Sequence, residues 1–327
     1  MAKQEIQLEK SGRILKRIKK EQEKYIKSIY EEVAKWVNAQ IERLNFNKET
    51  NASDALKLNQ LKNLQKEVEG KLKKINEKLE IKIKGNIKNI SKEVVEELNT
   101  IFGLDGVYAN IPDDVVQNII TGKIYNNNWS LSKAIWGDYE AKKKDMNTVI
   151  AKGIAENKST YDIAKDLQKY VDTKAKKDWN WSKVYPTSNK VIDYNAQRLA
   201  RTLVQHAYQQ SLEQSIKYNP YINKVKWHSA LIHGRTCELC SSRDGKLFNK
   251  NEIPLDHPNG LCTLIPILDK SLEEIGKELD DWANCKKVKN NTKLNKWAKS
   301  MGHDLKANKS VLKQDKPIID KIIKEAD

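Results

Sequence analysis

The segments Cys237-Glu-Leu-Cys240 and His257-Pro-Asn-Gly-Leu-Cys262 hold three of the four cysteines and one of the five histidines in this 327-residue chain. Two residues separate Cys237 from Cys240, and sixteen more precede His257. Thiolates spaced two residues apart reach one metal ion from a tight turn, and a second pair of ligands completes a tetrahedron. We therefore predict a structural zinc site at Cys237, Cys240, His257 and Cys262. Four protein ligands leave no position for a reactive water, so no catalytic residue is assigned.

Other roles for these cysteines stay open at the level of sequence. A disulfide would need an oxidising compartment, and the first residues, MAKQEIQLEKSGR, contain no apolar signal core. We therefore expect no secretion through a signal peptide. The remaining alternatives are buried thiols without a metal, beside an incidental histidine, and a catalytic cysteine.

The composition is that of a polar, folded chain with a large excess of positive charge. Hydrophobic residues make up 39% and charged residues 32%, and the net charge is +16. No apolar run is long enough to span a membrane, so no membrane partner is expected. The charge favours a nucleic-acid partner, because neutralising phosphates drives non-specific binding. It is spread evenly along the chain, however, which is typical of a solvated surface.

Arginine is rare in this chain and is concentrated in one segment, whereas lysine is frequent along the whole chain. The chain has 53 lysines and seven arginines. Four of the arginines fall within 46 residues: Arg198, Arg201, Arg235 and Arg243. Because the guanidinium group forms planar, multidentate hydrogen bonds, this clustering favours internal pairing that holds a small module together. Contact with DNA phosphate is the alternative.

The N-terminal region, 1–125, is predicted to be helical. Apolar residues recur at helical spacing through 3–45 and again through 55–80, with a turn between them and a third helix at 88–101. The first two helices are expected to form a long antiparallel hairpin, or to dock as a unit on a partner. Gly, Asp and Pro then punctuate 103–114. The apolar stripe of the first helix is interpreted as a packing face, because acidic and basic residues alternate opposite it.

Residues 126–220 are predicted to form a more compact helical region. Three helices are expected: one at 133–155, one that begins after an N-terminal cap at Ser159, and one at 191–218. Four tryptophans supply large aromatic surfaces for a core in this region: Trp129, Trp136, Trp179 and Trp181.

Residues 221–270 are predicted to be a small β-containing module. Extended pieces are expected at 225–229, around the Asp244-Gly245 turn, and at 263–268. Such a module is too small to be stable alone, and a metal would staple it. The tail, 271–327, is expected to be helical and charged. The predicted fold class is therefore mainly α with a small, zinc-stabilised β-containing module.

Several motifs in sequence order resemble a known family. Asn195-Ala-Gln-Arg-Leu-Ala-Arg-Thr202 is followed by Trp227-His-Ser-Ala230, Arg235-Thr-Cys-Glu-Leu-Cys240, Asp244-Gly-Lys246 and His257-Pro-Asn259. This order resembles the C-terminal core of the phage minor head proteins, also called head morphogenesis proteins, related to protein F of phage Mu. The resemblance covers roughly residues 125–270. Family members often end the last motif as His-Pro-Asn-Cys-Arg-Cys, whereas this chain has Gly260-Leu261-Cys262.

The resemblance implies a non-enzymatic virion component. Such proteins join the capsid in few copies by contact with the portal protein, lie inside the capsid near the DNA exit, and assist head assembly, DNA packaging or genome delivery. The implied partners are the portal protein, packaged double-stranded DNA, and the scaffold or major capsid protein. The implied location is the virion, and the host cytoplasm during assembly. The apolar stripe of the first helix is the expected portal-docking surface.

Four other functions compete with this one at the level of sequence. A non-specific DNA-binding scaffold without portal contact fits the charge. A nuclease of the HNH type would use Asp256-His257 beside the C-x2-C pair, but no second such pair follows. A zinc deaminase is excluded because no histidine before Cys237 is followed by x-Glu. A toxin with a fused enzyme domain does not fit, because the 57 residues after 270 are too few for most catalytic domains.

Overall fold

The structure, a computed structural model, describes residues 4–43, 54–102, 111–125, 130–156, 158–168, 194–217, 219–231, 236–283, 293, 294 and 296. The helices in these ranges are α1 (Glu9–Arg43), α2 (Asp54–Phe102), α3 (Ile111–Thr121), α4 (Leu131–Ala155), α5 (Thr160–Gln168), α6 (Tyr194–Lys217), α7 (Glu238–Arg243) and α8 (Leu272–Ala283). The strands are β1 (Gln4–Glu5), β2 (Ile222–His228), β3 (Leu247–Asn249) and β4 (Thr263–Leu268). The prediction of a mainly helical fold with a small β-containing part is confirmed.

The chain divides into two compact units. One comprises residues 1–15, 87–117 and 204–327, and it contains the whole sheet and the Cys/His segment. The other comprises residues 16–86 and 118–203 and is helical where it is described. Among the described helices, none is both long and apolar enough to cross a membrane.

The first helix is shorter at its N-terminus than its periodicity predicts. Helix α1 begins at Glu9, and Gln4–Glu5 instead pair with Leu268 and Ile267 at the edge of β4. The Ile6 amide extends this pairing by donating to the Pro266 carbonyl at 2.9 Å. A two-residue strand has no period of its own, so only the distant partner strand determines its conformation.

Helix α2 is one helix of 49 residues, where the sequence suggested two. The sequence prediction placed helices at 55–80 and 88–101, and Gly85, which costs a helix interior about 1 kcal/mol, lies between them. The buried stripe nevertheless continues through Leu79, Ile83, Ile87 and Ile90 at helical spacing. Burial of this stripe outweighs the local propensity of one glycine, so the predicted break was wrong.

Helices α1 and α2 run antiparallel within the unit that comprises residues 16–86 and 118–203. There Asn86 Nδ2 donates to Gln22 Oε1 at 2.5 Å, and Lys71 Nζ lies 4.4 Å from the centre of the Trp36 ring, so rising residue numbers in α1 meet falling numbers in α2. In the other unit, the Ser11 amide donates to Glu97 Oε2 at 2.7 Å. The predicted turn between them falls on 45–54, of which 45–53 lie outside the described residues.

The apolar stripe of α1 is a packing face. Its members are among the most buried side chains of the described chain: Ile18, Ile26, Ile29, Tyr30, Val33 and Val37. Their burial removes apolar surface from water at roughly 25 cal/mol per Å². The fold itself covers this stripe, so its apolar side chains are not exposed on the surface of the protein.

Helix α3 was not predicted, whereas α4 and α5 were. The Pro and Asp residues that suggested punctuation are Pro112, Asp113 and Asp114, and they occupy the first turn of α3. Proline costs nothing there, and carboxylates favour the positive end of a helix. The predicted cap of α5 is confirmed, since Ser159 Oγ accepts from the Asp162 amide at 3.1 Å.

The four tryptophans of the predicted helical core are only partly described. Trp136 lies in α4, half-buried, with its ring centre 5.6 Å from that of Tyr139 in an edge-to-face arrangement. Trp129, Trp179 and Trp181 lie outside the described residues. The largest fully buried side chain of the described chain is instead Trp227, in β2.

The sheet is antiparallel, with the order β1-β4-β2-β3. The predicted strands at 225–229 and 263–268 are confirmed as β2 and β4. The piece before Asp244-Gly245 is not extended, however: it is the short helix α7, and Gly245 takes the left-handed conformation that closes the turn, with φ 72°. On the sheet, Trp227 packs edge-on against Phe248, with ring centres 5.9 Å apart.

Two of the four clustered arginines make contacts that support the fold. The Arg243 guanidinium lies 5.0 Å from the centre of the Trp227 ring, and Arg201 lies 3.9 Å from Glu23. Arg198 is in α6, and Arg235 lies outside the described residues. The Arg243 stacking fits the predicted internal role in the small module. The helical tail is confirmed for α8, and most of 284–327 lies outside the described residues.

Candidate metal centre

The motif His257-Pro258-Asn259-Gly260 forms a tight turn that brings a histidine back towards the sheet. The Gly260 amide donates to the His257 carbonyl at 2.9 Å, which closes a four-residue turn. Asn259 has φ 65°, a left-handed conformation that asparagine tolerates better than most residues. Proline at the second position and a residue with positive φ at the third are typical of a type II turn. The local sequence therefore sets the direction in which the His257 side chain projects from the turn.

The C-x2-C pair is built on the start of α7. Cys237 is the residue that caps this helix, and the Cys240 amide donates to its Sγ atom at 3.5 Å. The first turn of the helix therefore turns both sulfurs to the same side. Cys240 is buried, and Cys237 is half-buried.

Three of the four predicted ligands lie in one group, and the fourth, Cys262, lies in a second group that shares Cys240 with the first. His257 Nε2 lies 3.0 Å from Cys240 Sγ and 3.4 Å from Cys237 Sγ. Cys262 Sγ lies 3.3 Å from Cys240 Sγ. The ligand atoms form two overlapping groups, each within 4.8 Å: Cys237, Cys240 and His257, and Cys240, Asp256 and Cys262. Either group could hold a metal ion, and Cys240 belongs to both.

The cysteines of the cluster are free thiols in this structure. The 3.3 Å between the sulfurs of Cys240 and Cys262 is far longer than the roughly 2.05 Å of a disulfide bond. Cys285, the fourth cysteine of the chain, lies outside the described residues.

The electrostatics of the cluster favour a cation. Burial raises the pKa of the Cys240 thiol, and the neighbouring sulfurs of Cys262 and Cys237 raise it further. Without a positive charge between them, the thiolate forms of these side chains repel one another and lose hydration. A bound metal ion reverses both effects, because coordination stabilises the thiolate.

The tautomer of His257 suits a metal ligand. Its Nδ1 atom lies 2.9 Å from the Pro258 carbonyl oxygen. A carbonyl can only accept a hydrogen bond, so Nδ1 carries the proton and Nε2 presents a lone pair to the sulfurs. Metal-binding histidines commonly hold their second nitrogen in this way.

Helix α6 holds the loop that carries His257 and Cys262. His206 Nε2 donates to the Asp256 carbonyl at 2.9 Å, and Gln209 Oε1 accepts from the Asp256 amide at the same distance. Gln205 Nε2 donates to the Cys262 carbonyl. These three polar side chains are almost fully buried. Because buried polar groups need partners, their hydrogen bonds fix the loop to the helix.

Sequence reasoning missed these supporting residues and Asp256. The available indication was in α6, where Gln205, His206 and Gln209 fall among the apolar positions of an otherwise buried face. A second support is Ser229, whose Oγ atom donates to the Cys240 carbonyl at 2.7 Å. Its amide donates to Asp244 Oδ1 at 2.8 Å, which ties the end of β2 to α7.

Comparison of the chain with models of protein families, with curated proteins and with solved structures gives no match. The family resemblance therefore stays an expectation from the quoted motifs. The chemistry of the Cys/His cluster and the architecture around it carry the functional argument.

Proposed function

We propose that the chain is a non-enzymatic structural protein whose small module is held together by a zinc ion bound to Cys237, Cys240, His257 and Cys262. The observation that carries this proposal is that two ligand groups overlap at Cys240, whose Sγ atom lies 3.0 Å from His257 Nε2 and 3.3 Å from Cys262 Sγ. Three thiolates and one imidazole form a typical structural zinc site, and soft sulfur ligands favour zinc over magnesium or calcium.

The size of the module supports a structural role for the metal. Its strands are two to seven residues long, and α7 has six residues. Short strands and one turn of helix bury little apolar surface of their own, so metal coordination would contribute much of the stability. A bound zinc ion would cross-link α7 to the 257–262 loop.

The position of His257 supports a non-catalytic centre over an HNH-type nuclease. A nuclease histidine must activate a water molecule near the scissile phosphate. Here Nε2 is directed at two sulfurs and Nδ1 is used by the Pro258 carbonyl. Both ring nitrogens therefore have partners within the protein.

Within this proposal the protein is a minor head protein of a tailed phage, bound at the portal inside the capsid. The support is the ordered set of motifs, together with the antiparallel helices α1 and α2, which are 35 and 49 residues long. The apolar stripe of α1 is buried, so portal contact would use the charged outer faces of these helices or the small module. A net charge of +16 suits a position beside packaged DNA.

Co-expression with the portal protein of the same phage, followed by size-exclusion chromatography, tests this role. Co-elution that survives moderate salt is the expected result. Separate elution, with salt-sensitive binding to any DNA offered, would instead favour the non-specific DNA-binding scaffold.

The Cys237→Ser/Cys240→Ser double variant tests the metal in the same system. We expect it to lose zinc and to unfold the module, while Cys285→Ser, a control at the one cysteine that the zinc prediction leaves out, keeps both. Zinc content by elemental analysis and thermal unfolding are the two measurements. A double variant that keeps wild-type unfolding would contradict the structural role.

A further inference from the structure

We infer that Asp256 is the residue that positions the second half of the metal site, and that it does so without being a ligand. This inference rests on the proposed zinc site. Asp256 is buried, immediately precedes His257, and is one of the acidic or sulfur side chains close enough to Cys240 and Cys262 to compete for the metal. Its role therefore decides both the ligand set and the stability of the loop.

The side chain of Asp256 spans the base of the turn. Its Oδ1 atom accepts from the His257 amide at 2.9 Å, and its Oδ2 atom accepts from the Cys262 amide at 3.3 Å. These two amides belong to the two ligands that the loop supplies. One carboxylate therefore sets the separation of His257 and Cys262, as expected of a group that orients metal ligands.

The space around the carboxylate is reserved for it. Gly260 is buried, and a Cβ atom at this position would lie within 2.5 Å of Asp256 Cγ and of both carboxylate oxygens. Non-bonded atoms do not approach so closely, so any larger residue at 260 would displace the carboxylate. Asp256 and Gly260 thus form a matched pair within the turn.

The main chain of Asp256 is fixed independently of its side chain. Its carbonyl accepts from His206 and its amide donates to Gln209, both on α6. The residue therefore connects a rigid helix to the two loop ligands. A change at its side chain should loosen the ligands while the loop stays attached to α6.

Hydrogen bonding argues against Asp256 as the fourth ligand. His257 Nε2 lies 3.0 Å from Cys240 Sγ and has a lone pair to offer a metal, whereas each carboxylate oxygen of Asp256 already accepts from a main-chain amide. Outside the coordination sphere, the carboxylate instead receives two amide hydrogen bonds that help to offset its burial.

Cobalt titration of the metal-free protein tests this inference. Co²⁺ reports its ligands through sulfur-to-metal charge-transfer and d–d absorption bands. For Asp256→Asn we expect a spectrum of wild-type shape and Co²⁺ binding weakened 10–100-fold. For Cys262→Ser we expect weaker charge-transfer absorption, because a thiolate ligand is lost.

A variant at Gly260 and a control at Gly70 provide a second test by Co²⁺ titration. Gly260→Ala should weaken Co²⁺ binding as Asp256→Asn does, because the new methyl group displaces the carboxylate. Gly70→Ala is the matched control, since nothing lies within 4 Å of a Cβ atom there. It should leave Co²⁺ affinity unchanged.

Two results would overturn the inference. One is wild-type Co²⁺ affinity in Asp256→Asn; the other is a changed spectrum in Asp256→Asn together with an unchanged one in Cys262→Ser. If the wild-type chain binds neither Co²⁺ nor Zn²⁺, the zinc proposal fails by itself. Hydrogen exchange in the metal-free protein then decides the role of Asp256: amides of His257 and Cys262 that exchange at least tenfold faster in Asp256→Asn support it, and unchanged rates refute it.

Discussion

At the scale of single residues, the buried charges show where the fold depends on a specific partner. Lys142 in α4 is almost fully buried, with its Nζ atom 2.7 Å from Asp138 Oδ2 and 3.1 Å from the Tyr30 hydroxyl. Burial alone would lower the pKa of Lys142, but Tyr30 and Asp138 raise it above its ordinary value. The lysine therefore remains charged and needs its partners.

Replacing this lysine tests that dependence. Lys142→Met leaves Asp138 without its closest cation, and we expect the free energy of unfolding to fall by about 3 kcal/mol. Urea unfolding followed by circular dichroism measures the change. Lys144→Met, two residues along and exposed, is the matched control and should stay within about 0.5 kcal/mol of wild type. Equal stabilities for the two variants would contradict the account.

The buried carboxyl group of Glu213 should make folding stability depend on pH. Burial raises the pKa of Glu213 to about 7, although the amides of Gln209 and Gln210 oppose the shift. Because the folded state holds this proton above the ordinary value of 4.5, folding stability should fall as pH rises from about 4.5 to 7 and then level off.

Glu213→Gln should remove this dependence, since glutamine has a similar shape and no charge to desolvate. We expect it to be more stable than wild type at pH 8, by up to about 3 kcal/mol, and nearly equal to it at pH 4.5. Urea unfolding at a series of pH values measures the difference. Stability curves that run parallel over the whole range would refute the shift.

At the scale of elements, local sequence predicted those helices whose ends are set by their own residues. Ser130 caps α4 by accepting from the Lys133 amide at 3.2 Å, and Ser159 caps α5 in the same way. Both ends follow from short-range hydrogen bonds that a sequence reveals. The extent of α2 and the strand β1 could not be predicted similarly, because burial and a distant strand determine them.

The cap of α4 can be tested directly. Ser130→Ala removes the side-chain acceptor, and we expect a loss of about 1 kcal/mol in the free energy of unfolding. Ser132→Ala, an exposed position inside the same helix, should be neutral or slightly stabilising. Thermal unfolding of the two variants compares them, and a smaller effect at 130 than at 132 would show that the cap does not hold the helix end.

At the scale of the whole molecule, residues near the N-terminus share a sheet with strands more than 200 residues away in sequence. Strand β1 pairs with β4 more than 260 residues later, and Lys226 in β2 lies 2.8 Å from Glu5. No local pattern encodes such a contact. The N-terminal residues are therefore part of the module that the sequence placed at 221–270.

Spacing in the sequence suggested the candidate ligands of the metal centre but not the residues that support them. The C-x2-C pair and the His-Pro-Asn-Gly turn are short motifs that selected Cys237, Cys240, His257 and Cys262, and the structure places these residues in two overlapping groups that could hold a metal ion. The groups that hold them, including His206, Gln209 and Asp256, come from separate elements. Their role follows from tertiary contacts, which one sequence does not display.

X-ray absorption at the zinc edge, on the full-length protein purified in the presence of zinc, tests the central claim most directly. The account predicts one zinc per chain, with three sulfur neighbours at about 2.3 Å and one nitrogen at about 2.0–2.1 Å. It also predicts that a chelator lowers the thermal stability of the module. Protein without zinc, whose unfolding a chelator leaves unchanged, would contradict the account.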